Sequence, residues 1–556
     1  MYTPSLTSGL YKLALRSVSK QQKFTIMKKV FLAILSASLF LSCNKKSLDL
    51  IDPNAPNPAV LKTEEGLIRG TLGIYSKFGL NFWWRALANH DIMGDSYTIS
   101  AGNFSWRWVN QVTKITLSNG TVLTPPQGGP QATELKSRND RSFGTDNAFY
   151  SEWAALYFVN NQANLILDVT TQNDLKLTGS ADEVATKKAV VRAFAFWWKG
   201  FAYSRIGSMY IAGVQADKFV DGTLLSHDFI AHDAVVKLGN DNFDACIAEL
   251  NKITNIAVYN NLFKRIIPDF TIAGKGGIIS PDAWKKQIST YKARNLLVNK
   301  KTAQMTSADW NNILTLASAG IAKDDKIFTM RSADVNDLVG TTAWSPYRLQ
   351  VGWANVSERL IQDFKAGDKR YDRNIDGPYA PYGNERNRGA QYATRWYLFE
   401  ISDGGDWAST TTGLAEVPVA CSYEENELML AEANIHLGNI DEGLKHVDNV
   451  RDYQNSGLTH VSGTGLTQAA ALEELRIERR IGLFLKNVSF YDARRWGVTV
   501  PAAQGGGRKN AWVIKPDNKL DANATIEYNY LDYWDVPMNE LDFNTPSSGS
   551  APVNSN

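Results

Sequence analysis

Apolar positions recur at helical spacing over most of this chain, and two long stretches break the rhythm. From Thr63, residues Leu67, Ile68, Leu72, Ile74 and Tyr75 mark a helix that runs towards Phe82. A wide stripe of Trp153, Leu156, Tyr157, Val159, Leu165 and Ile166 predicts a helix over 146–168, and Phe194, Phe196, Trp197, Trp198, Phe201 and Tyr203 predict a strongly aromatic one over 184–205. A helix pair is expected over 232–254. A helix over 282–299 then turns into another over 310–321, with Ser307 or Asp309 as its N-cap. Leu428, Ala431, Ile435 and Leu437 line one helix of a helix–turn–helix over 424–452. Gly438-Asn439 breaks it, and Leu444, Val447 and Val450 line the second. A last helix is expected over 471–485.

The first interruption, about 110–145, is polar and rich in Gly, Pro, Thr and Gln, with a hairpin expected at Asn119-Gly120. The second, 326–417, lacks helical periodicity except over 358–365 and reads as irregular structure with short strands. Residues 547–556 are poor in apolar side chains and read as a frayed tail. Around 424–452, small Ala431 and Ala433, the Leu437-Gly438 turn and a close-packing Gly443 have the rhythm of a tetratricopeptide unit. The expected fold is mainly α. Tetratricopeptide-like helix pairs form a scaffold for one domain over 61–546, with long irregular and short-strand excursions.

The N-terminal pattern differs. Lys28 and Lys29 precede an uncharged apolar run, Val30–Leu41, of signal-peptide length, too short for a stable membrane span. It ends in Leu41-Ser42-Cys43, which resembles the lipobox of bacterial lipoproteins and makes Cys43 the expected lipidation site. Met27 stands where such a signal begins. Residues 1–26 therefore read as an early start, with a long basic leader as the alternative, and 27–42 as the signal peptide. Residues 43–60, rich in Pro and Asn, read as a lipidated tether.

Composition narrows the function classes. A net charge of +2 gives no electrostatic support for a nucleic-acid partner. After Cys43 only Cys246 and Cys421 remain, too few to staple a chain of 556 residues, whether or not they pair. No cofactor or metal site is expected. His227, His232, Asp228 and Asp233 straddle a helix start, where Asp233 more simply favours the dipole. The aromatic content, 16 Trp, 22 Tyr and 23 Phe, sets the remaining question of which rings lie outside the core.

Five separated segments, taken together, resemble the SusD/RagB family of outer-membrane nutrient-binding lipoproteins of the Bacteroidetes. They are the lipobox and tether; Trp153-Ala154-Ala155-Leu156-Tyr157 with Asn160-Asn161-Gln162-Ala163-Asn164; Arg192-Ala193-Phe194 through Gly207; Ser357-Glu358-Arg359-Leu360 with Asp368-Lys369-Arg370; and a C-terminal run through Glu427–Ala433, Glu478–Arg480, Phe490–Gly497 and Val536–Asn544. Gly482, Lys486-Asn487 and Thr545 depart from the family pattern. The resemblance implies a non-enzymatic protein of the outer membrane, lipid-anchored at the cell surface. It would capture oligosaccharide for a TonB-dependent, SusC-like transporter, with peptide or other nutrient as the RagB-like alternative.

The run Arg476, Glu478, Arg479, Arg480, Asp492, Arg494, Arg495 lies beside apolar Leu475, Ile477, Ile481 and Phe484. It reads as a scaffold of ion pairs rather than an active site. Sugars stack on flat rings and pair with amides and guanidiniums. The ligand candidates are accordingly Trp83 and Trp84; Asn103, Trp106, Arg107 and Trp108; Trp344, Tyr347 and Trp353; and Trp396 and Trp407. In an extended segment Trp106 and Trp108 would share a face, with Arg107 opposite. A helical glycoside hydrolase is the competing class. Glu432, Asp95 and Asp91 are available acids, but no spacing pairs them.

Overall fold

In a computed structural model, described over residues 58–76, 83–99, 105–126, 128–220, 226–331, 354–382, 384, 387–398, 405–406 and 416–555, helices dominate. Cys43, the signal segment and the tether up to residue 57 lie outside the described residues. Leu61–Asn556 form one unit.

Its centre is aromatic. The helices Ala148–Thr171 and Ala181–Met209 match the two broad stripes, and Asn147 caps the first through Phe149 N. Ser180 and Glu183 close a capping box on the second. Trp197 stacks on Phe328, ring centres 4.7 Å apart and 18° between planes, and fastens the start of the second interruption to the helical core. Such a pair adds about 0.5–1.5 kcal/mol to the burial of its rings. The helix His232–Leu250 crosses Ala181–Met209 at glycines. A Cβ on Gly207 would stand 2.6 Å from His232 O, and one on Gly239 2.8 Å from Ser204 N, so neither crossing point admits a side chain. The helix pair expected over 232–254 is thus one helix, followed by Ile256–Ile266, which Asn255 caps.

The pairs Pro281–Val298/Ser307–Ser318 and Tyr423–His436/Ile440–Tyr453 give the tetratricopeptide-like scaffold. Thr306, not Ser307 or Asp309, caps Ser307–Ser318; Asp309 is the reciprocal partner three residues on. Tyr423–His436 is buried all round. Leu428, Ala431 and Ile435 pack with Val447, Val450 and Leu475, while Met429, Leu430 and Ala433 pack with Trp310 and Ile313. Gly443 sits where expected, since a Cβ there would stand 2.5 Å from Ile435 Cγ1.

The described parts of the interruptions are more ordered than their composition predicts. Lys114–Thr116 and Val122–Leu123 form the expected hairpin around Asn119-Gly120, and helix Gln131–Ser137 follows. The hairpin joins Arg508–Ile514 and Leu520–Glu527, a second hairpin missed by pattern, in a four-stranded antiparallel sheet. Thr329–Arg331 pairs with Glu416–Pro418, which closes the 326–417 stretch at its base. Tyr97–Ile99 pairs with Ala354–Val356, Ile99 opposite Ala354. The end of the chain is not frayed. Ser547 N donates to His227 O at 2.7 Å, and Asn554 Nδ2 to Tyr533 O at 2.6 Å. Those bonds, not apolar burial, hold it. Among the described residues no helix is long and apolar enough to cross a membrane.

Candidate functional site

The charged C-terminal run is a buried frame. Glu478 accepts from Arg451 Nε at 2.9 Å and from Arg370, which also holds Asp368 at 2.8 Å. Arg479 and Arg495 share Asp492 at 2.9 and 2.8 Å. The three acids weighed for hydrolysis are spent in it or near it. Glu432 receives both Nη groups of Arg495. Burial pushes Asp95 up, but Arg359, bonded at 2.9 and 3.0 Å, with Arg508 and Arg480, outweighs it and holds the carboxyl well below the usual range. Burial pushes Asp91 up to about 7, with Ser489 Oγ donating to it at 3.0 Å. His90, lowered to about 4 by burial and Arg205, stays neutral. Cys246 and Cys421 are separate buried thiols. His227 Nδ1 meets Thr545 O at 2.6 Å and His232 stacks on Tyr533.

The aromatic candidates divide. The expected extended segment is a short helix, Trp106–Val109, so Trp106 and Trp108 do not share a face. Trp106 is wholly buried, and Arg107 is 8% exposed. Two guanidinium carbons, those of Arg107 and Arg138, lie 4.1 and 4.0 Å from the centre of the Trp108 ring. Cations therefore cover the surface that a sugar would need. Trp396 is buried against Tyr371. Trp83 and Trp84 open the helix Trp83–Met93, and their side chains are outside the described parts. Asn103, Trp344, Tyr347, Trp353 and Trp407 lie outside the described residues.

Beside the Trp396 strand stands a group that the sequence reading passed over. Tyr382 stacks on Tyr397, ring centres 4.0 Å apart and 14° between planes, and Tyr379 meets Tyr397 edge-on at 5.6 Å. Tyr382 OH donates to Trp396 O at 2.7 Å, which holds the ring in place. Asn384 Oδ1 accepts from Arg388 N and Gly389 N, and so shapes the turn that follows. Together with the sheet end at Val122–Thr124 and the turn at Lys515–Asn518, these residues border an open cleft of about 790 Å³. Its rim carries Tyr382, Asn384, Asn387 and Asn518: one fixed ring and three amides. The signal was Pro378-Tyr379-Ala380-Pro381-Tyr382-Gly383-Asn384, two tyrosines in a Pro- and Gly-rich loop.

The same segment ties the region together. Tyr392 OH donates to Arg107 O, and Gln391 Nε2 to Asn110 O at 3.4 Å. Thr98 Oγ1 donates to Tyr392 O at 3.2 Å, and Thr394 Oγ1 to Val356 O at 2.6 Å. The Tyr97–Ile99/Ala354–Val356 ladder therefore abuts the cleft wall.

Residues 355–547 match the model of the SusD family. Solved structures match across the rest of the chain as well. A SusD homolog from Bacteroides thetaiotaomicron has 13% identity and a TM-score of 0.55, covering 86% of this chain and 95% of its own. A SusD-like protein from Bacteroides fragilis has 13% identity and a TM-score of 0.50, covering 88% and 97%. A third structure, solved with a xylogluco-oligosaccharide, has 14% identity and a TM-score of 0.52, covering 88% and 99%. No curated protein matches this chain.

Residues 355–547 carry the match to the SusD family, and the fold of the chain is SusD-like. Its departures from the SusD/RagB pattern are absorbed locally. A Cβ on Gly482 would stand 2.9 Å from Glu478 Oε1 and 3.1 Å from Val450 Cγ1, where the helix packs tightly. Asn487 has φ +63, a left-handed position that Asn tolerates nearly as well as Gly. Lys486 pairs with Glu424 at 3.2 Å.

Proposed function

We propose that this protein captures oligosaccharide at the cell surface and hands it to a TonB-dependent, SusC-like transporter, held to the outer membrane by lipid on Cys43. It acts by reversible binding and not by catalysis. The observation that carries this reading is the Tyr382 cleft. A ring fixed by stacking and by a hydrogen bond suits the C–H face of a sugar, and amides on the rim suit its hydroxyls. The SusD family match and the relative solved with a xylogluco-oligosaccharide support it. The acids Glu432, Asp95 and Asp91 are engaged by Arg495, Arg359 and Ser489 rather than facing one another across the cleft.

Asn103, Trp344, Tyr347 and Trp353 lie outside the described residues. These residues remain candidates for further ligand contacts.

The test is binding of the purified protein to a panel of polysaccharides and oligosaccharides by affinity gel and calorimetry, with Tyr382→Ala and Asn384→Ala alongside. Binding without product, weakened at least tenfold in Tyr382→Ala, supports the reading. Release of shorter sugars overturns it, as does a panel bound by neither protein. Peptide binding in place of sugar would move the assignment to the RagB-like alternative.

A further inference from the structure

A second hollow opens on the other side of the family motif. Tyr150, Trp153 and Tyr157 recur at three- and four-residue steps along Ala148–Thr171 and so share one face of that helix. With Phe158 and Phe543 they wall a hollow of about 310 Å³ that shares no lining residue with the Tyr382 cleft. The walls are fixed. Trp153 Nε1 donates to Glu540 Oε2 at 3.1 Å, and Tyr157 OH donates to Val214 O at 3.0 Å while accepting from Val214 N. The rim is open, with Phe158 46% and Phe543 54% exposed.

One polar atom at the wall is unspent. Asn160 is wholly buried, and its Nδ2 donates to Ala216 O at 2.7 Å. A carbonyl can only accept, so that bond fixes which end of the amide is nitrogen and turns Oδ1 the other way. Among the described residues Oδ1 has no partner. A buried acceptor left unpaired is costly, and because Oδ1 is closed off, a donor from the hollow reaches it only if the wall at Asn160 shifts. The Glu540 carboxylate, bonded to Trp153 and Asn544, keeps lone pairs for further donors.

We propose that this hollow is a second carbohydrate site, which takes a single hydroxylated sugar ring. The aromatic walls offer stacking surfaces to a C–H face. Glu540 offers acceptor capacity to a sugar hydroxyl, and Tyr150 and Lys218 in the same lining carry donors. The volume lies at the small end of the roughly 300–1,000 Å³ typical of ligand pockets, room for one ring and not a chain. The site goes beyond the oligosaccharide cleft and stands without it.

The test uses methyl β-glucoside, methyl β-galactoside and methyl β-xyloside as probes, with saturation-transfer NMR and calorimetry on the purified protein. The double variant Phe158→Ala/Phe543→Ala removes two half-exposed rings, and its melting temperature is expected to equal that of the wild type. At least one glycoside is expected to bind, at least tenfold more weakly to the double variant and unchanged to Tyr382→Ala. Three results would overturn the proposal: no glycoside bound, binding that the double variant leaves intact, or binding that Tyr382→Ala abolishes. The last would assign the glycoside to the cleft; failure of oligosaccharide binding at the cleft leaves this proposal untouched.

Discussion

Arg495 and Glu432 meet in a two-point ion pair, at 2.5 and 2.7 Å, with both side chains almost wholly buried. The pair joins Ser489–Arg495 to the tetratricopeptide-like helix Tyr423–His436. Removing Glu432 leaves the buried Arg495 guanidinium with Asp492 alone, which Arg479 also engages, a loss of up to about 3–5 kcal/mol. Glu432→Ala is therefore expected to lower unfolding free energy by up to that much in denaturant titration. Glu432→Gln, which keeps an acceptor for Arg495, should cost clearly less. Equal losses in the two variants would mean that packing, not charge, holds this joint.

Asp91 makes stability depend on pH. Its folded pKa is about 7, raised from the ordinary carboxylate value by burial. The folded protein therefore keeps a proton that the unfolded chain releases, and stability from this group falls as pH rises from about 4 to about 7. Asp91→Asn removes that cost and can still accept from Ser489. It should stabilise the protein by on the order of 4 kcal/mol at pH 8 and by little at pH 4. Melting curves at both pH values decide; a gain that is the same at each would refute the assignment.

Trp106 and Tyr382 should behave differently. Trp106 is fully buried, and its replacement by alanine should cost about 3–5 kcal/mol of stability. Tyr382, partly exposed on the cleft, should cost less when truncated, about 1–3 kcal/mol for its stacking and its hydrogen bond, and show its main effect in ligand binding. Melting temperatures of the two variants, measured before any ligand is added, separate core from site.

Gly207 is expected to resist any side chain. A Cβ there would press on His232 O and Val236 N, which are backbone atoms and cannot rotate away. Gly207→Ala should cost about 1–3 kcal/mol and push the two crossing helices apart. A Gly120→Ala control places its Cβ in open space at the hairpin tip, though at φ +82, and should cost less by chemical denaturation.

The sequence by itself determined the helical scaffold, the Asn119-Gly120 hairpin and the close packing at Gly443. Each rests on neighbours within a few turns: a 3.6-residue stripe, a turn dipeptide, or a missing side chain between adjacent helices. The N-cap of Ser307–Ser318 was placed one or three residues late, because Thr306, Ser307 and Asp309 all carry capping oxygens and only backbone geometry chooses among them.

Tertiary structure alone decided which rings are buried. Trp106, Trp108 and Trp396 looked like loop aromatics because the segments around them lack period. The first is enclosed in the core, the second is covered by Arg107 and by Arg138 from a later helix, and the third packs on Tyr371. Both proposed binding sites join residues far apart in the chain: Tyr382 with Asn518, and Trp153 with Phe543. No local pattern records that meeting, because burial and cavity shape are set by what packs from elsewhere. Sequence periodicity reports only which face of an element turns inward.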